Sequence, residues 1–350
     1  MIDTPGPVRK ENALDAAALK AFLGQYVPDL SGEASLRQYR GGASNLTYEL
    51  TVGEKAFIVR CAPDGAKAKG AHDMGREFEI QRLLKPVFPL VPAVVALEST
   101  GAVIGKEFYV MEKLEGVILR KNPPEGFSPA PAQTRALCER MLDVLTDLHR
   151  LPLDANGLGA FGKGPGYAQR QIEGWWGRYQ PVRTWNTPSF KRVHQWLMAH
   201  LPENERFCFI HNDYRFDNLV LDPADPSQIR GVLDWEMATV GDPLMDLGNT
   251  LAYWVQADDD FFMKAVRRQP THLPGMMTRR EVVDYYCKRM GFDPGKFAFY
   301  EVYGLFRLAV IAQQIYFRYH KKQTTNPAFR GFWLIVNYLH WSCVRVMKGS

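Results

Sequence analysis

Apolar residues recur at helical spacing between Asp15 and Val27, with Leu19, Phe22, Leu23 and Tyr26 on one face, which predicts a leading helix. The period then falls to two. Ser35 to Arg40, Asn45 to Val52 and Lys55 to Cys61 read as three strands joined by Gly41-Gly42-Ala43 and by the turn Gly53-Glu54-Lys55, an antiparallel meander. Helical spacing returns from Ala71 to Lys85, and Val94 to Leu97 and Glu107 to Glu112 read as two further strands. The stretch Glu112 to Gly116 leads away from a strand as a hinge into a second lobe. Beyond it the pattern is mainly helical: Pro129 to Arg150, Pro243 to Val255, Arg279 to Met290, Lys296 to His320 and Pro327 to Met347. The expected class is α+β, a small N-terminal antiparallel sheet lobe over residues 1–114 and a larger, mainly helical C-terminal lobe over residues 115–350.

Composition narrows the class without deciding the chemistry. At 350 residues the chain exceeds the size at which one core stops growing, in keeping with two lobes. A hydrophobic fraction of 46% and a charged fraction of 23% are those of an ordinary globular protein. Cys61, Cys138, Cys208, Cys287 and Cys343 show no C-x-x-C pairing, so neither a disulfide framework nor a zinc site is expected, and reduced thiols in the cytoplasm are the expectation. The N-terminal MIDTPGPVRK has no apolar core of a signal peptide. The longest apolar helical stretch, Leu305 to Phe317, carries Arg307, Gln313 and Gln314 and is shorter than the ~20 apolar residues a bilayer requires, so no membrane insertion is expected. The net charge is +5, and the whole surplus lies after Asp234.

The chemistry concentrates between Phe209 and Gly241. There His211, Asp213, Asn218 and Asp234 follow the order H-x-D-x-x-x-x-N plus a later carboxylate, in which one Asp orients an attacking hydroxyl while an Asn and a second Asp hold magnesium. Leu219 to Leu221 and Ile229 to Leu233 flank the Pro-rich turn Asp222 to Pro226 and read as a hairpin that folds Asp234 back beside Asn218. Singly, each of these residues is an ordinary turn former; the set is what carries the signal. Asp213 would accept or align the hydroxyl proton, Arg215 would neutralise charge on the transferred phosphoryl group, and Glu236 could assist the metal through water. His211 braces the loop on this reading.

The dipeptide Asp234-Trp235 in place of D-F-G, and His211-Asn212-Asp213 in place of H-R-D, resemble the aminoglycoside phosphotransferase and choline kinase-like family. The chain is most similar to the branch fused to, or encoded beside, acyl-CoA dehydrogenases. The resemblance implies a bilobal protein-kinase-like fold, with the helix, three strands, helix and two strands forming its small lobe. It also implies a Gly/Ser/Asn phosphate loop at Arg40 to Asn45, with Ser44 and Asn45 as phosphate contacts, although the same residues would serve a plain hairpin turn. Arg60 in Phe57-Ile58-Val59-Arg60 stands where protein kinases carry a lysine, and Glu77 is its partner by position. Glu112 and Leu114, at the hinge, are candidate nucleotide contacts. Gly241-Asp242-Pro243 with Asp246 resembles the family's G-D-P-x-x-D-L element, which implies that Asp246, at a helix start, braces the catalytic loop backbone.

The expected reaction is transfer of the γ-phosphate of a Mg²⁺ nucleotide, ATP or GTP, to a hydroxyl of a small acceptor. Basic and aromatic residues alternate from Tyr167 to Trp196, a pattern that can stack bases. Interspersed acids such as Glu173 and the small net charge point instead to a packing helix or lid, so no nucleic-acid partner is expected. An aminoglycoside is polycationic and would want acids where this chain concentrates positive charge. A hydroxyacyl-CoA or hydroxy acid, which the branch resemblance suggests, fits better. The rivals are a nucleotide-binding pseudokinase, a metal-dependent phosphodiesterase, which would lack a second His/Asp cluster, and a protein kinase, for which no activation loop follows Asp234-Trp235-Glu236.

Overall fold

A computed structural model describes residues 4–39, 45–63, 73–154 and 156–350. In chain order the regular elements begin with α1 (Ala16–Leu23), β1 (Ala34–Gln38), β2 (Leu46–Val52), β3 (Lys55–Cys61), α2 (Met74–Leu84), β4 (Val94–Glu98) and β5 (Phe108–Glu112). There follow α3 (Pro131–His149), α4 (Tyr167–Tyr179), α5 (Lys191–Ala199), β6 (Cys208–Ile210), β7 (Leu219–Leu221), β8 (Ile229–Val232) and β9 (Thr239–Gly241). The chain closes with α6 (Pro243–Ala252), α7 (Phe261–Val266), α8 (Arg279–Met290), α9 (Ala298–His320) and α10 (Phe332–Gly349). Two compact units result. The first takes the described residues of Met1–Leu119 with Pro124–Phe127 and Asp217–Met237; the second takes Arg120–Pro123, Ser128–Phe216 and Ala238–Ser350.

In the first unit the five strands form one antiparallel sheet in the order β1-β2-β3-β5-β4. Strand alternation decides which side chain meets which helix. Phe57, Val59 and Cys61 of β3 join Leu19, Phe22 and Leu23 of α1 in one buried cluster, while Ile58 packs with Met74 at the start of α2, with Tyr109 and with Met111. Arg60 shares the parity of Ile58 and therefore faces α2. The leading helix is shorter than its sequence period: Asp15 caps it by accepting from the N–H groups of Ala17 and Ala18, it stops at Leu23, and Tyr26 is exposed. The predicted hairpin is present as β7 and β8, which pair antiparallel, and Val232 N–H and the Val117–Leu221 bridge tie it to the rest of the unit.

The second unit is helical apart from the short β6–β9 ladder, which pairs Cys208 with Gly241 and Ile210 with Thr239. That ladder sets the residues after Ile210 beside the start of α6. Helices α6 and α9 approach at glycine: a Cβ on Gly304 would lie 2.1 Å from the Gly248 carbonyl oxygen. Tyr167, Ile172, Trp175 and Tyr179 give α4 a buried face, so the aromatic stretch is a packing helix. Among the described residues no helix is long and apolar enough to cross a membrane, none of the cysteines forms a disulfide, and all five are buried.

Candidate active site

In the first unit the Arg60 guanidinium reaches two acids at once. Its Nη1 lies 3.4 Å from Glu77 Oε1 on α2 and its Nη2 2.9 Å from Asp234 Oδ1, with Glu236 Oε2 at 3.9 Å. Glu77 is buried and is fixed further by the Tyr109 hydroxyl, which donates to Oε1 at 2.8 Å while accepting from Gln81 Nε2. Asn45 Nδ2 donates to Glu236 at 2.9 Å and approaches Glu77 at 3.5 Å. Burial holds the Glu77 carboxyl above its ordinary range, with Arg60 only partly opposing it. Burial works equally against the Arg60 cation, but Glu77, Tyr109 and Asp234 more than offset it and hold its proton well above the ordinary range.

Asp234 arrives at this cluster because the hairpin returns it. Leu233 N–H donates to the Asn218 carbonyl at 2.8 Å, so Asp234 follows directly on a residue bonded to Asn218. Asp234 itself has φ 68°, a left-handed conformation that is uncommon outside glycine and costs about 1–3 kcal/mol unless its surroundings enforce it. Trp235 supplies that enforcement. It is fully buried, donates from Nε1 to the Val232 carbonyl at 2.8 Å and meets the Phe88 ring edge-on at 6.0 Å. The amide oxygen of Asn218 and the carboxylates of Asp234 and Glu236 are the hard oxygen donors that magnesium prefers, so the residues fit that ion. Among the described residues no three His, Cys, Asp or Glu gather into a metal cage made by protein alone.

In the second unit the loop after β6 is held on both sides of Asn212. Asp246 on α6 accepts the N–H of His211 and of Asn212, each at 2.8 Å, and Arg307 on α9 donates to the Asn212 carbonyl at 3.0 Å. Asn212 has φ 65°, and its side-chain oxygen accepts from Asn249 Nδ2. His149 Nε2 lies 3.1 Å from the second-unit Asp246 carboxylate, and its Nδ1 2.6 Å from the Tyr286 hydroxyl. Burial pushes the Asp246 carboxyl up, but His149 and His211 outweigh it and leave it below the usual carboxylate range. It is therefore ionised and acceptor-only, so His149 Nε2 donates to it. His211 is fully buried and its Nδ1 accepts the Asp213 N–H at 3.2 Å. Asp213 itself stays partly exposed, with Arg215 Nη2 at 3.0 Å from its Oδ2, and the Arg215 guanidinium lies over the Tyr253 ring at 4.6 Å.

The sequence pattern of the phosphotransferase enzyme family matches residues 35–282. The chain belongs to that family. Rat acyl-CoA dehydrogenase family member 11 is 33% identical to this phosphotransferase family member over 321 residues, which are 89% of the chain and 40% of the rat protein. The chain thus spans less than half the length of that relative. A solved Ralstonia eutropha structure assigned to the aminoglycoside phosphotransferases is 28% identical, covers 96% of this chain and 99% of its own, and superposes with a TM-score of 0.80. An aminoglycoside phosphotransferase solved with AMP-PNP and hygromycin B shares the fold at a TM-score of 0.60 and 15% identity, over 96% of this chain and 99% of its own. The kinase-like fold expected from sequence is the fold of this family member.

The first unit thus gathers Asn45, Arg60, Glu77 and Asp234, with Asn218 joined through its backbone. Ser44 lies outside the described residues. Glu112 spends its carboxylate on Lys85 Nζ at 2.9 Å and on the Ala93 N–H, and its own N–H donates to the Ala93 carbonyl at 2.8 Å. Leu114 packs over Gly231, where a Cβ would meet its Cδ1 at 2.1 Å. The second unit joins Asp213 to Arg215. Sequence reasoning missed the direct Arg60 to Asp234 bond, and it missed His149, Gln269 and Arg307 as partners of the loop and its brace. No local motif marks those three.

Proposed function

We propose that this phosphotransferase moves the γ-phosphoryl group of a magnesium nucleotide, with ATP as donor, to a hydroxyl of a small anionic or neutral acceptor. A hydroxyacyl-CoA or hydroxy acid is the leading class. The observation that carries the reading is the Arg60 guanidinium set between Glu77 and Asp234. Its planar fork can keep one carboxylate while turning donors toward a phosphate. Asn218 and Asp234 would hold the magnesium ion, which when bound supplies positive charge to the phosphoryl oxygens. Asp213 aligns the acceptor hydroxyl and takes its proton, and Arg215 offsets the negative charge that gathers during transfer. Support for the acceptor comes from the positive surplus after Asp234 and from kinship with a protein named as an acyl-CoA dehydrogenase family member.

The test is ATP consumption over hydroxy acids, hydroxyacyl-CoA thioesters, choline and aminoglycosides, with Asp213→Ala as blank and mass spectrometry of the product. Rapid use of aminoglycosides with no use of the hydroxy acids or thioesters would sink the acceptor assignment. The Arg60 to Asp234 ion pair also favours a second reading, a nucleotide-binding pseudokinase, because it occupies one oxygen of a metal ligand. Magnesium-dependent ATP binding with no turnover across the panel would select it.

A further inference from the structure

We propose that the acceptor is selected by an apolar cavity beyond the C-terminal end of α6, edged by Arg267 and Arg268 with Lys264 next in sequence to its wall residue Met263, and that the acceptor carries both an apolar chain and an anionic group. This deepens the phosphotransfer reading above and rests on it. The cavity measures about 140 Å³, and Tyr253, Val266, Leu308, Ile311 and Ile335 are among its walls, with Arg267 and Arg268 at its edge. Lys264 precedes them on α7. None of the three cations is in an ion pair among the described residues, and Lys264 and Arg268 are exposed. Arg267 spends its donors on the Lys121 carbonyl and the Asn122 side chain, neither of which cancels its charge.

Two bonds join this patch to the catalytic loop inside the helical unit. Tyr253, a wall of the cavity, carries the Arg215 guanidinium on its ring, and Arg215 pairs with Asp213. Gln269, next in sequence to Arg268 and fully buried, accepts the Phe216 N–H at 2.8 Å. A ligand seated in the cavity therefore lies against the residues that position the loop. The acids of the neighbouring turn are already engaged: Asp259 holds Arg279 through two bonds, and Asp260 accepts from the Tyr338 hydroxyl. Asp258, the third acid of that turn, accepts from Gln256 Nε2 at 2.7 Å and is exposed, so a cationic acceptor meets one such carboxylate against three cations. An anion neutralises the edge, while its apolar chain gains about 25 cal/mol per Å² removed from water. The field of the edge also reaches His272, whose cationic form is disfavoured first by burial and then by Arg267 and Lys264.

The anionic group is either the carboxylate of a free acid or the phosphates of a thioester carrier. Titration calorimetry on the full chain without nucleotide separates them, using octanoate, octanoyl-CoA, coenzyme A and 1-octanol as probes. At least one octanoyl anion is expected to bind about tenfold more tightly than octanol or coenzyme A. The Lys264→Glu, Arg268→Glu double variant is expected to weaken it about tenfold, since two unpaired positive charges at and beside the edge change sign. Preference for octanoyl-CoA identifies the carrier phosphates, and preference for octanoate the carboxylate; either supports the site. Failure of both anions to bind, equal binding of octanol, or unchanged affinity in the double variant overturns it. Circular dichroism checks the fold, and the milder Lys264→Gln, Arg268→Gln pair replaces the reversal if that does not fold. The readout needs no phosphoryl transfer. Anion binding without transfer to any acceptor would therefore refute the enzymatic reading separately.

Discussion

Arg60 and Asp234, 174 positions apart in sequence, meet in a charge-assisted hydrogen bond of 2.9 Å. The same guanidinium neutralises the buried Glu77, so one side chain serves the fold and, on the proposed reading, the nucleotide as well. Arg60→Ala should leave Glu77 buried without its counter-charge and cost about 3–5 kcal/mol of stability, read by urea unfolding. Arg60→Lys keeps the charge but loses the fork, and should retain more stability than nucleotide affinity.

On the proposed mechanism, Asp213→Asn removes the group that aligns and deprotonates the acceptor. Turnover should fall by about 10²–10⁴, with the affinity for Mg-ATP unchanged in equilibrium binding. Equal loss of nucleotide binding would mean that Asp213 acts on the donor instead.

Asp246→Ala strips the partner from the buried N–H groups of His211 and Asn212 and from His149 Nε2. Each orphaned group costs about 1–3 kcal/mol, so a total above about 3 kcal/mol is expected in chemical unfolding. Asp246→Asn, which keeps one acceptor oxygen, should cost less.

Asp242 caps α6 by accepting from the N–H groups of Leu244 and Met245, yet burial lifts its carboxyl to about 6. A carboxyl raised in the folded state binds its proton more tightly there than in the unfolded chain, whose value is ordinary. Stability from this group is thus present below the ordinary carboxylate range, declines as pH rises toward about 6, and is flat above that. Asp242→Asn, an equally good cap, should remove that decline. Thermal unfolding midpoints between pH 4 and pH 7 provide the check, and an identical slope in both proteins would rule out Asp242 as its source.

Gly304→Ala should force α6 and α9 apart, because its Cβ would meet the Gly248 carbonyl oxygen. Overpacking of this kind costs about 1–3 kcal/mol. The two helices carry Asp246 and Arg307, so turnover should fall by more than the stability loss explains, as measured well below the unfolding temperature.

Where local chemistry is explicit, sequence reading located elements to the residue. Arg279 to Met290 is α8 as expected, because Thr278 and Glu281 form a capping box and Gly291, at φ 70°, stops the helix. The final helix begins at Phe332 instead of Pro327, since Asn326 caps a single 3₁₀ turn over Pro327–Phe329 before Gly331. The β6–β9 ladder went unread because three residues per strand carry no alternation to detect. At the site, the hairpin that returns Asp234 was legible from its two apolar runs and its turn. The grips on the loop were not: Gln269, His149 and Arg307 sit in ordinary local contexts, and only tertiary packing brings them to Phe216, Asp246 and Asn212.

The buried thiols make the folded chain its own stopwatch. Burial raises the Cys138 thiol to about 12 and the Cys287 thiol to about 11, so little reactive thiolate forms at neutral pH while the helices stay closed. Cys61 lies in the sheet-bearing unit beside Arg60, and the other four lie in the helical unit, Cys208 just before the catalytic loop. The rate at which a thiol reagent labels each site, resolved by peptide mass spectrometry, would time the opening of its surroundings. Added nucleotide or acceptor would slow the clock in whichever unit it grips, with no label or tag introduced.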